Sequence, residues 1–230
     1  MADIHSRVSV IIVAAGSGNR LGADVPKAFV PLGGATLLAR SLRIVAEVPS
    51  ASEVVVTVPA GMEAAAREEV KRVGLALPVK IVAGGAERQD SVRIALSFTS
   101  AESELVAIHD AARPFANPAM FQASLEEAVR VGGAIVAVPL ADTLKRVDQQ
   151  KIIETIPRAG LWQAQTPQAF RRRLLIDAHE KALREGLIAT DDADLVERMG
   201  GTVAIVNGSP LNLKITTAED LRLAEAIAAL

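Results

Sequence analysis

The sequence lacks cysteine and tyrosine, and its 230 residues include one tryptophan and five phenylalanines. Without cysteine there can be no disulfide, no thiolate metal site and no cysteine nucleophile. The few aromatic side chains leave little surface on which single-stranded nucleic acid could stack. A formal net charge of −2, from 25 basic and 27 acidic residues, gives no overall field that attracts nucleic acid or an anionic membrane. Any anion-binding site must therefore be local.

Long apolar runs are also missing. The run from Val8 to Ala15 is far shorter than the roughly 18 apolar residues of a membrane span. The opening MADIHSR shows no basic segment leading into an apolar stretch, so we expect a cytoplasmic protein without a secretory signal. Half of the chain is hydrophobic, which at this length is enough for one sizeable α/β domain.

A glycine-rich loop follows the first predicted strand. The run from Val8 to Ala15 consists of small and β-branched, mainly apolar residues, and a polar segment with the cations Arg20 and Lys27 comes after it. The segment contains three glycines, Gly16, Gly18 and Gly22. Glycines allow positive φ and let backbone N–H groups approach an anion, which the two cations could bracket. The pattern predicts a polyphosphate-binding loop.

This loop matches neither of two common phosphate-binding motifs. The dinucleotide fingerprint needs a third glycine where Leu21 stands, and the Walker motif needs serine or threonine where Ala28 follows Lys27. Taken alone, the segment is also compatible with a flexible surface loop after an edge strand.

Strands and helices alternate along the first part of the chain. Predicted strands cover 53–59, 79–83, 104–109 and 134–139, and predicted helices cover 36–48, 61–73, 88–98 and 118–131. This alternation favours a mainly parallel sheet with helices on both faces. Later segments predict helices over 170–185, 191–199 and 218–229 and a last core strand over 202–206.

Residues 141–163 break the alternation. Short alternating segments flank a polar centre at 148–150, which predicts a hairpin that leaves the main sheet. Because a two-stranded hairpin cannot bury a face by itself, we expect it to pack on another subunit.

Candidate binding groups stand where predicted strands end, since ligands of α/β sheets bind beside the carboxyl ends of the strands. Gly84 and Gly85 follow one strand, and Arg88 and Ser91 stand at the next helix start. The glycines could approach a base or ribose, and a helix start suits an anion or hydroxyl group. A plain left-handed turn with a capping serine explains the same residues equally well.

Asp110 ends the next strand. A buried carboxylate needs a partner, so it either pairs with Arg113 or ligates a hard cation. His109 is interpreted as a strand-end histidine with its hydrogen bonds satisfied and not as a ligand.

Three later features have ordinary explanations too. Lys214 follows the final strand, where a lone lysine is normally a solvated charge, and the arginines at 171–173 fit a solvated helix start. Asp191 and Asp192 could form a metal pair. Thr190 before two acidic residues is also a normal N-cap, and we favour the cap.

Several segments together resemble the 2-C-methyl-D-erythritol 4-phosphate cytidylyltransferases, a branch of the sugar nucleotidyltransferase family. They are AAGSGNRLG at 14–22, PKAF at 26–29, GGAERQDSV at 84–92, HDAARP at 109–114, LWQAQTPQAF at 161–170, TDDA at 190–193 and LNLKIT at 211–216. The resemblance runs in the same order from about residue 8 to near the C-terminus.

The resemblance implies one nucleotidyltransferase domain over residues 1–230 with a Rossmann-like three-layer α/β/α fold. Residues 141–163 would be a protruding β-hairpin arm that forms a homodimer and reaches the neighbour's site. The implied substrates are CTP and a polyol phosphate, with neither nucleic acid nor membrane as a partner. Mg²⁺ or another divalent cation would be held mainly by phosphate oxygens and water, with Asp110 as the candidate protein ligand.

The resemblance also assigns roles to residues. The catalytic group is Arg20, Lys27, Arg158 and Lys214. The nucleotide-binding group is Ala14, Ala15, Gly16, Gly18, Gly85, Arg88, Ser91, Asp110 and Ala111. The acceptor-binding group is Arg113, Thr143, Arg158, Thr166, Thr190 and Lys214.

The implied reaction transfers CMP from CTP to 2-C-methyl-D-erythritol 4-phosphate and releases pyrophosphate, a step of non-mevalonate isoprenoid biosynthesis. Loop cations and amides suit such a reaction because phosphoryl transfer needs positioning and charge stabilisation instead of a protein nucleophile. Three alternatives remain at this point: another polyol-phosphate acceptor such as ribitol 5-phosphate, a sugar-1-phosphate nucleotidyltransferase that uses UTP or dTTP, and a non-catalytic nucleotide-binding module.

Overall fold

The computed structural model describes residues 7–16, 18, 21–22 and 25–229. The strands are β1 (Val8–Val13), β2 (Pro31–Leu32), β3 (Ala35–Thr36), β4 (Ala51–Val58), β5 (Val79–Ala83), β6 (Leu105–Asp110), β7 (Gly132–Pro139), β8 (Leu144–Asp148), β9 (Lys151–Ile156), β10 (Trp162–Arg171) and β11 (Thr202–Asn207). The helices are α1 (Leu37–Ala46), α2 (Glu63–Val73), α3 (Arg88–Phe98), α4 (Pro118–Val131), α5 (Arg172–Glu185), α6 (Asp192–Glu197) and α7 (Ala218–Ala228).

A seven-stranded sheet forms the centre, in the order β11-β7-β10-β6-β1-β4-β5. Strands β11 and β7, and likewise β6, β1, β4 and β5, pair in parallel, whereas β10 runs antiparallel to both β6 and β7. The expected mainly parallel α/β sheet is therefore confirmed. The sequence pattern missed β10, because the polar segment QAQTPQ and Pro167 conceal a strand whose regular pairing is interrupted between Ala164 and Gln168.

Helices cover both faces because side chains alternate along the buried strands. Val10 and Ile12 of β1 pack in one core with α1 and α4, whereas Ile11 packs in a second core with α3 and α5. Both cores are mainly aliphatic, as the composition predicts. This layering fixes the strand ends and leaves their carboxyl edge available for a site.

A third apolar cluster supports the segment around the glycine-rich loop. Leu21 and Val30 pack with Ile215 and with Ala224 of α7. The backbone N–H of Ile215 donates to the carbonyl of Ala112, 2.8 Å away. The C-terminal part of the chain is thus held against the end of β6.

The hairpin predicted over 141–163 forms as a separate two-stranded antiparallel sheet, β8 and β9. Its turn residues Gln149 and Gln150 both have positive φ, the geometry of tight hairpin turns. Trp162 and Gln163 belong instead to β10 of the central sheet. Val147, Ile152 and Ile153 are large apolar side chains exposed on this arm.

None of the helices in the described part of the chain combines the length and apolar character needed to cross a bilayer.

Candidate active site

A cleft of about 460 Å³ opens at the carboxyl ends of β1 and β6, beside the start of α3. Its size is typical of ligand sites. Ten of the predicted residues line it: Ala14, Ala15, Gly16, Lys27, Gly85, Arg88, Ser91, Asp110, Ala111 and Lys214. Among the described lining residues, three side chains are cationic and two, Glu87 and Asp110, are carboxylates. An anionic ligand would therefore meet an excess of positive charge.

The glycine-rich loop reaches the cleft through Gly16 and Lys27. Gly18 has φ +74°, and a Cβ at this position would lie 2.7 Å from the Cβ of Lys27, so the chain needs glycine where the loop returns. Lys27 begins a short 3₁₀ helix, Lys27–Phe29. Arg20, the other predicted cation of the loop, lies outside the described residues.

Gly84 and Gly85 allow neighbouring segments to pack closely against the backbone after β5. A Cβ on Gly84 would lie 2.3 Å from the Cβ of Ala15, and neither Gly84 nor Gly85 has positive φ. The alternative of a left-handed turn is therefore wrong. Glu87 caps α3, and the Ser91 hydroxyl accepts a hydrogen bond from the Gly85 N–H at 3.1 Å. Ser91 thus fixes the segment that lines the cleft.

Asp110 lies between two cations. Its Oδ1 accepts a hydrogen bond from Arg88 Nε at 3.0 Å, and its Oδ2 lies 2.7 Å from Lys214 Nζ. The predicted alternative of an Asp110–Arg113 pair is wrong, because the Arg113 guanidinium donates instead to the carbonyls of Asn212 and Ala164. The partners come from α3 and from the segment before α7, which the tertiary fold brings to the end of β6.

These ion pairs shift the pKa values of Asp110 and Arg88. Burial alone would raise the pKa of Asp110, but Arg88 and Lys214 hold it well below its ordinary value. Burial alone would lower the pKa of Arg88, but Asp110 and Asp192 raise it above the usual range. Both groups therefore stay charged across the physiological range of pH.

His109 is buried behind Asp110. The Thr166 hydroxyl accepts a hydrogen bond from the Asp110 N–H and lies 3.1 Å from His109 Nδ1, so its own O–H can donate to that nitrogen. His109 Nε2 has no hydrogen-bond partner within the described residues. Burial lowers the pKa of His109 to about 4, which keeps the ring neutral. The interpretation of a satisfied strand-end histidine therefore holds for Nδ1 and is wrong for Nε2.

The His109 pKa predicts a specific loss of stability in acid. Because the folded pKa lies below the ordinary value of 6.5, only the unfolded chain gains a proton between pH 6.5 and 4. The free energy of unfolding should therefore fall by about 2 kcal/mol from this residue by pH 5. Urea titrations at pH 7 and pH 5 should show a smaller fall for His109→Gln than for the unmodified protein. Equal falls would contradict the assignment.

Several predicted acceptor-binding residues are absent from the cleft lining in the single chain. Arg158 and Thr143 are exposed in the arm segment 141–163, outside strands β8 and β9, and Thr190 is exposed before α6. Thr166 is buried, with its hydroxyl committed to Asp110 and His109. Arg113 lines a neighbouring cavity that shares Lys214 with the cleft.

The acidic pair before α6 has a different arrangement from the one predicted. Asp191, and not Thr190, is the N-cap of α6, since its side chain accepts a hydrogen bond from the Asp194 N–H at 3.0 Å. Asp192 turns inward to Arg88 at 2.8 Å and to His179 at 3.0 Å. The two carboxylates therefore do not form a metal pair in this structure.

Sequence reasoning missed Asp192 as a partner of the site and Glu87 and Thr216 as lining residues. Asp192 stands 104 positions from Arg88, and no local pattern signals a contact at that separation. Thr216 stands two residues after Lys214 in LNLKIT, so this motif already indicated the segment that contains it.

Comparison with known proteins identifies the family. The profile of the 2-C-methyl-D-erythritol 4-phosphate cytidylyltransferases matches residues 8–229. The chain belongs to this family. The family member from Deinococcus radiodurans is 47% identical over 221 residues, which cover 96% of this chain and 89% of the relative. The member from Syntrophotalea carbinolica is 45% identical over 221 residues, with 95% of each chain covered.

A solved cytidylyltransferase structure has the same fold. The 2-C-methyl-D-erythritol 4-phosphate cytidylyltransferase from Thermus thermophilus superposes with a TM-score of 0.83 at 39% identity, covering 97% of this chain and 100% of that one. Membership of the cytidylyltransferase family confirms the resemblance based on the motifs, and it makes the protein a nucleotidyltransferase.

Proposed function

We propose that this cytidylyltransferase moves the cytidylyl group of CTP to 2-C-methyl-D-erythritol 4-phosphate in isoprenoid biosynthesis. Family membership supports the reaction, and the convergence of Lys27, Arg88 and Lys214 on one cleft is the structural observation that carries it. These side chains come from three distant segments and meet where ligands of α/β sheets bind. A triphosphate and an acceptor phosphate together require such a concentration of positive charge.

In the proposed reaction a phosphate oxygen of the acceptor attacks the α-phosphorus of CTP. A new P–O bond forms as the bond to the pyrophosphate oxygen breaks, and pyrophosphate leaves with that electron pair. Lys27, together with Arg20, stabilises the negative charge that develops on the α-phosphate and the leaving group. The backbone around Ala15, Gly85 and Ser91 holds the nucleoside.

Lys214 and Arg113 face the acceptor side of the site in this proposal, because both line the cavity next to the nucleotide cleft. Thr166 acts indirectly, since its buried hydroxyl holds the backbone of Asp110. Thr143, Thr190 and Arg158 retain their predicted role in acceptor binding, the last through the arm of a second subunit.

In the proposed reaction a divalent cation binds together with the triphosphate and is not held by the protein alone. Within the described residues no three acidic or histidine side chains are grouped to hold a metal ion. Both oxygens of Asp110, the candidate ligand, already contact cations. The described side chains therefore do not fit a metal held by the protein alone, whereas phosphate oxygens and water supply the ligands that Mg²⁺ prefers.

Pyrophosphate release tests the function directly. The enzyme should release pyrophosphate with CTP and 2-C-methyl-D-erythritol 4-phosphate, and much less when UTP or dTTP replaces CTP. It should prefer this acceptor to ribitol 5-phosphate. A preference for ribitol 5-phosphate, or CTP binding without release for any polyol phosphate, would contradict the proposed function. Removal of divalent cations with EDTA should abolish release, and added Mg²⁺ should restore it.

We further propose that residues 1–230 form one nucleotidyltransferase domain and that the arm at 141–163 joins two chains into a dimer. The arm exposes Ile152 at 64% and Val147 at 54%, which is unfavourable unless another surface covers them. A two-stranded sheet also needs further packing for stability.

An arm variant tests the dimer. Ile152→Asp should convert a dimer into a monomer in sedimentation velocity at micromolar concentration, because it places a charge in the proposed interface. Leu183→Asp is the matched control, since Leu183 is 58% exposed on α5, outside residues 141–163, and its replacement should leave the dimer intact. A monomeric parent protein, or a dimeric Ile152→Asp variant, would contradict the assignment.

A further inference from the structure

A line of charged and polar side chains runs from α5 into the cleft. His179 Nε2 lies 3.0 Å from one oxygen of Asp192, and the other oxygen lies 2.8 Å from Arg88 Nη1. Arg88 Nε then contacts Asp110 at 3.0 Å, and Asp110 contacts Lys214 at 2.7 Å. Arg88, Asp110 and Lys214 line the cleft, whereas His179 and Asp192 are only 1% exposed and lie behind it.

The buried end of this line is held in place by other elements. The Asp192 N–H donates to the Gln168 side chain at 3.3 Å, and Gln168 also donates to Asp191 at 3.0 Å. Gln168 lies on β10 and pairs with Ile108 of β6. Asp192 is therefore a buried anion attached both to the central sheet and to α5.

Arg88 needs such an anchor because its side chain is long and has many rotamers. A guanidinium is planar with donors in fixed directions, so carboxylates at Nε and at Nη1 together determine its orientation. Asp110 alone would fix only one of these donors, and the guanidinium plane of Arg88 could still rotate about that contact. The second carboxylate removes this freedom.

We propose that Asp192 is a positioning residue, which orients Arg88 and, through it, the Asp110–Lys214 pair for nucleotide binding and transfer. This inference rests on the proposed function. Asp192 lines neither the cleft nor the neighbouring cavity, so it acts through Arg88 and not by contact with substrate. His179 supports it by donating Nε2–H to the carboxylate.

Replacement of the charge tests the inference. Asp192→Asn keeps the size of the side chain but weakens the contact to Arg88, and it should lower kcat/KM for CTP roughly ten- to hundredfold. CTP affinity measured by calorimetry should fall as well. Asp192→Glu, which retains the charge, should recover part of the loss. Asp194→Asn is the matched control on the same helix, because Asp194 pairs with Arg198 near the surface.

A double-mutant cycle separates positioning from general stabilisation. Once Arg88→Met has removed the guanidinium, Asp192→Asn should weaken CTP binding by less than about twofold more. His179→Gln provides a milder variant if Asp192→Asn folds poorly, and it should cause a smaller loss in the same direction. If the two substitutions acted independently, so that their separate fold-losses of CTP affinity multiplied in the double variant, the inference would be overturned. Unchanged CTP affinity in folded Asp192→Asn or His179→Gln would also overturn it.

The readouts distinguish this inference from the proposed function. If the unmodified enzyme bound CTP but released no pyrophosphate with the acceptor, the proposed function would be wrong. The effect of Asp192 on CTP affinity could still be measured by calorimetry in that case. If the enzyme turned over normally and the Asp192→Asn variant matched it, the positioning role alone would fail.

Discussion

Lys27→Ala should lower turnover about 100- to 1000-fold while CTP affinity changes much less. The side chain lines the cleft at the return of the glycine-rich loop. In the proposed reaction its charge matters most when negative charge accumulates on the α-phosphate and pyrophosphate. An interaction that strengthens in the transition state affects kcat more than binding. Steady-state kinetics together with calorimetric CTP binding would measure both effects.

Lys71→Ala serves as the control for Lys27. Lys71 is exposed on α2 and pairs with Glu68, far along the chain from the loop and outside the cleft lining. Its replacement should leave both turnover and CTP affinity unchanged. Equal losses of turnover and affinity in Lys27→Ala would contradict the role of this lysine in the transition state and assign it to ground-state binding.

Asp110→Asn should lower the free energy of unfolding by about 3 to 5 kcal/mol and also abolish most activity. Its two carboxylate oxygens contact Arg88 and Lys214 from a buried position. The amide would turn an N–H₂ donor toward one of these cations and leave them without their shared anion. Urea denaturation of the variant and of the unmodified protein would measure the loss.

A surface carboxylate gives the comparison for Asp110. Asp177 pairs with Arg173 one turn away on α5, where solvent screens the charges, so Asp177→Asn should change stability little. If Asp110→Asn were as stable as the unmodified protein, the cluster would not depend on its central carboxylate. Pyrophosphate release by that variant at the rate of the unmodified protein would contradict a role for Asp110 in the reaction.

Much of the fold could be predicted because local patterns and packing agree. Helix α4 begins at Pro118 and ends at Val131 as predicted, and Thr36 caps α1 through a hydrogen bond from the Ala39 N–H. Strand β10 could not be predicted, because the sheet stabilises a polar, proline-containing segment that has no local strand pattern.

For the site, the sequence by itself determined which segments line the cleft. The glycine-rich loop with Lys27, the pair Gly84 and Gly85, and Asp110 stand at the ends of β1, β5 and β6, and the order of strands along the chain was enough to locate them. Their motifs were also sufficient to indicate the family. These properties are local, since they depend on residue types and spacing within one segment.

Only the tertiary structure decided how the charges pair. Arg113 was the nearest cation to Asp110 in sequence, but Arg88 and Lys214 are its partners, and Asp192 reaches Arg88 across 104 positions. The physical reason is that a buried charge selects a partner by distance in space and by the hydrogen bonds each group can complete. Strand order and helix packing set those distances, and no spacing in the sequence encodes them.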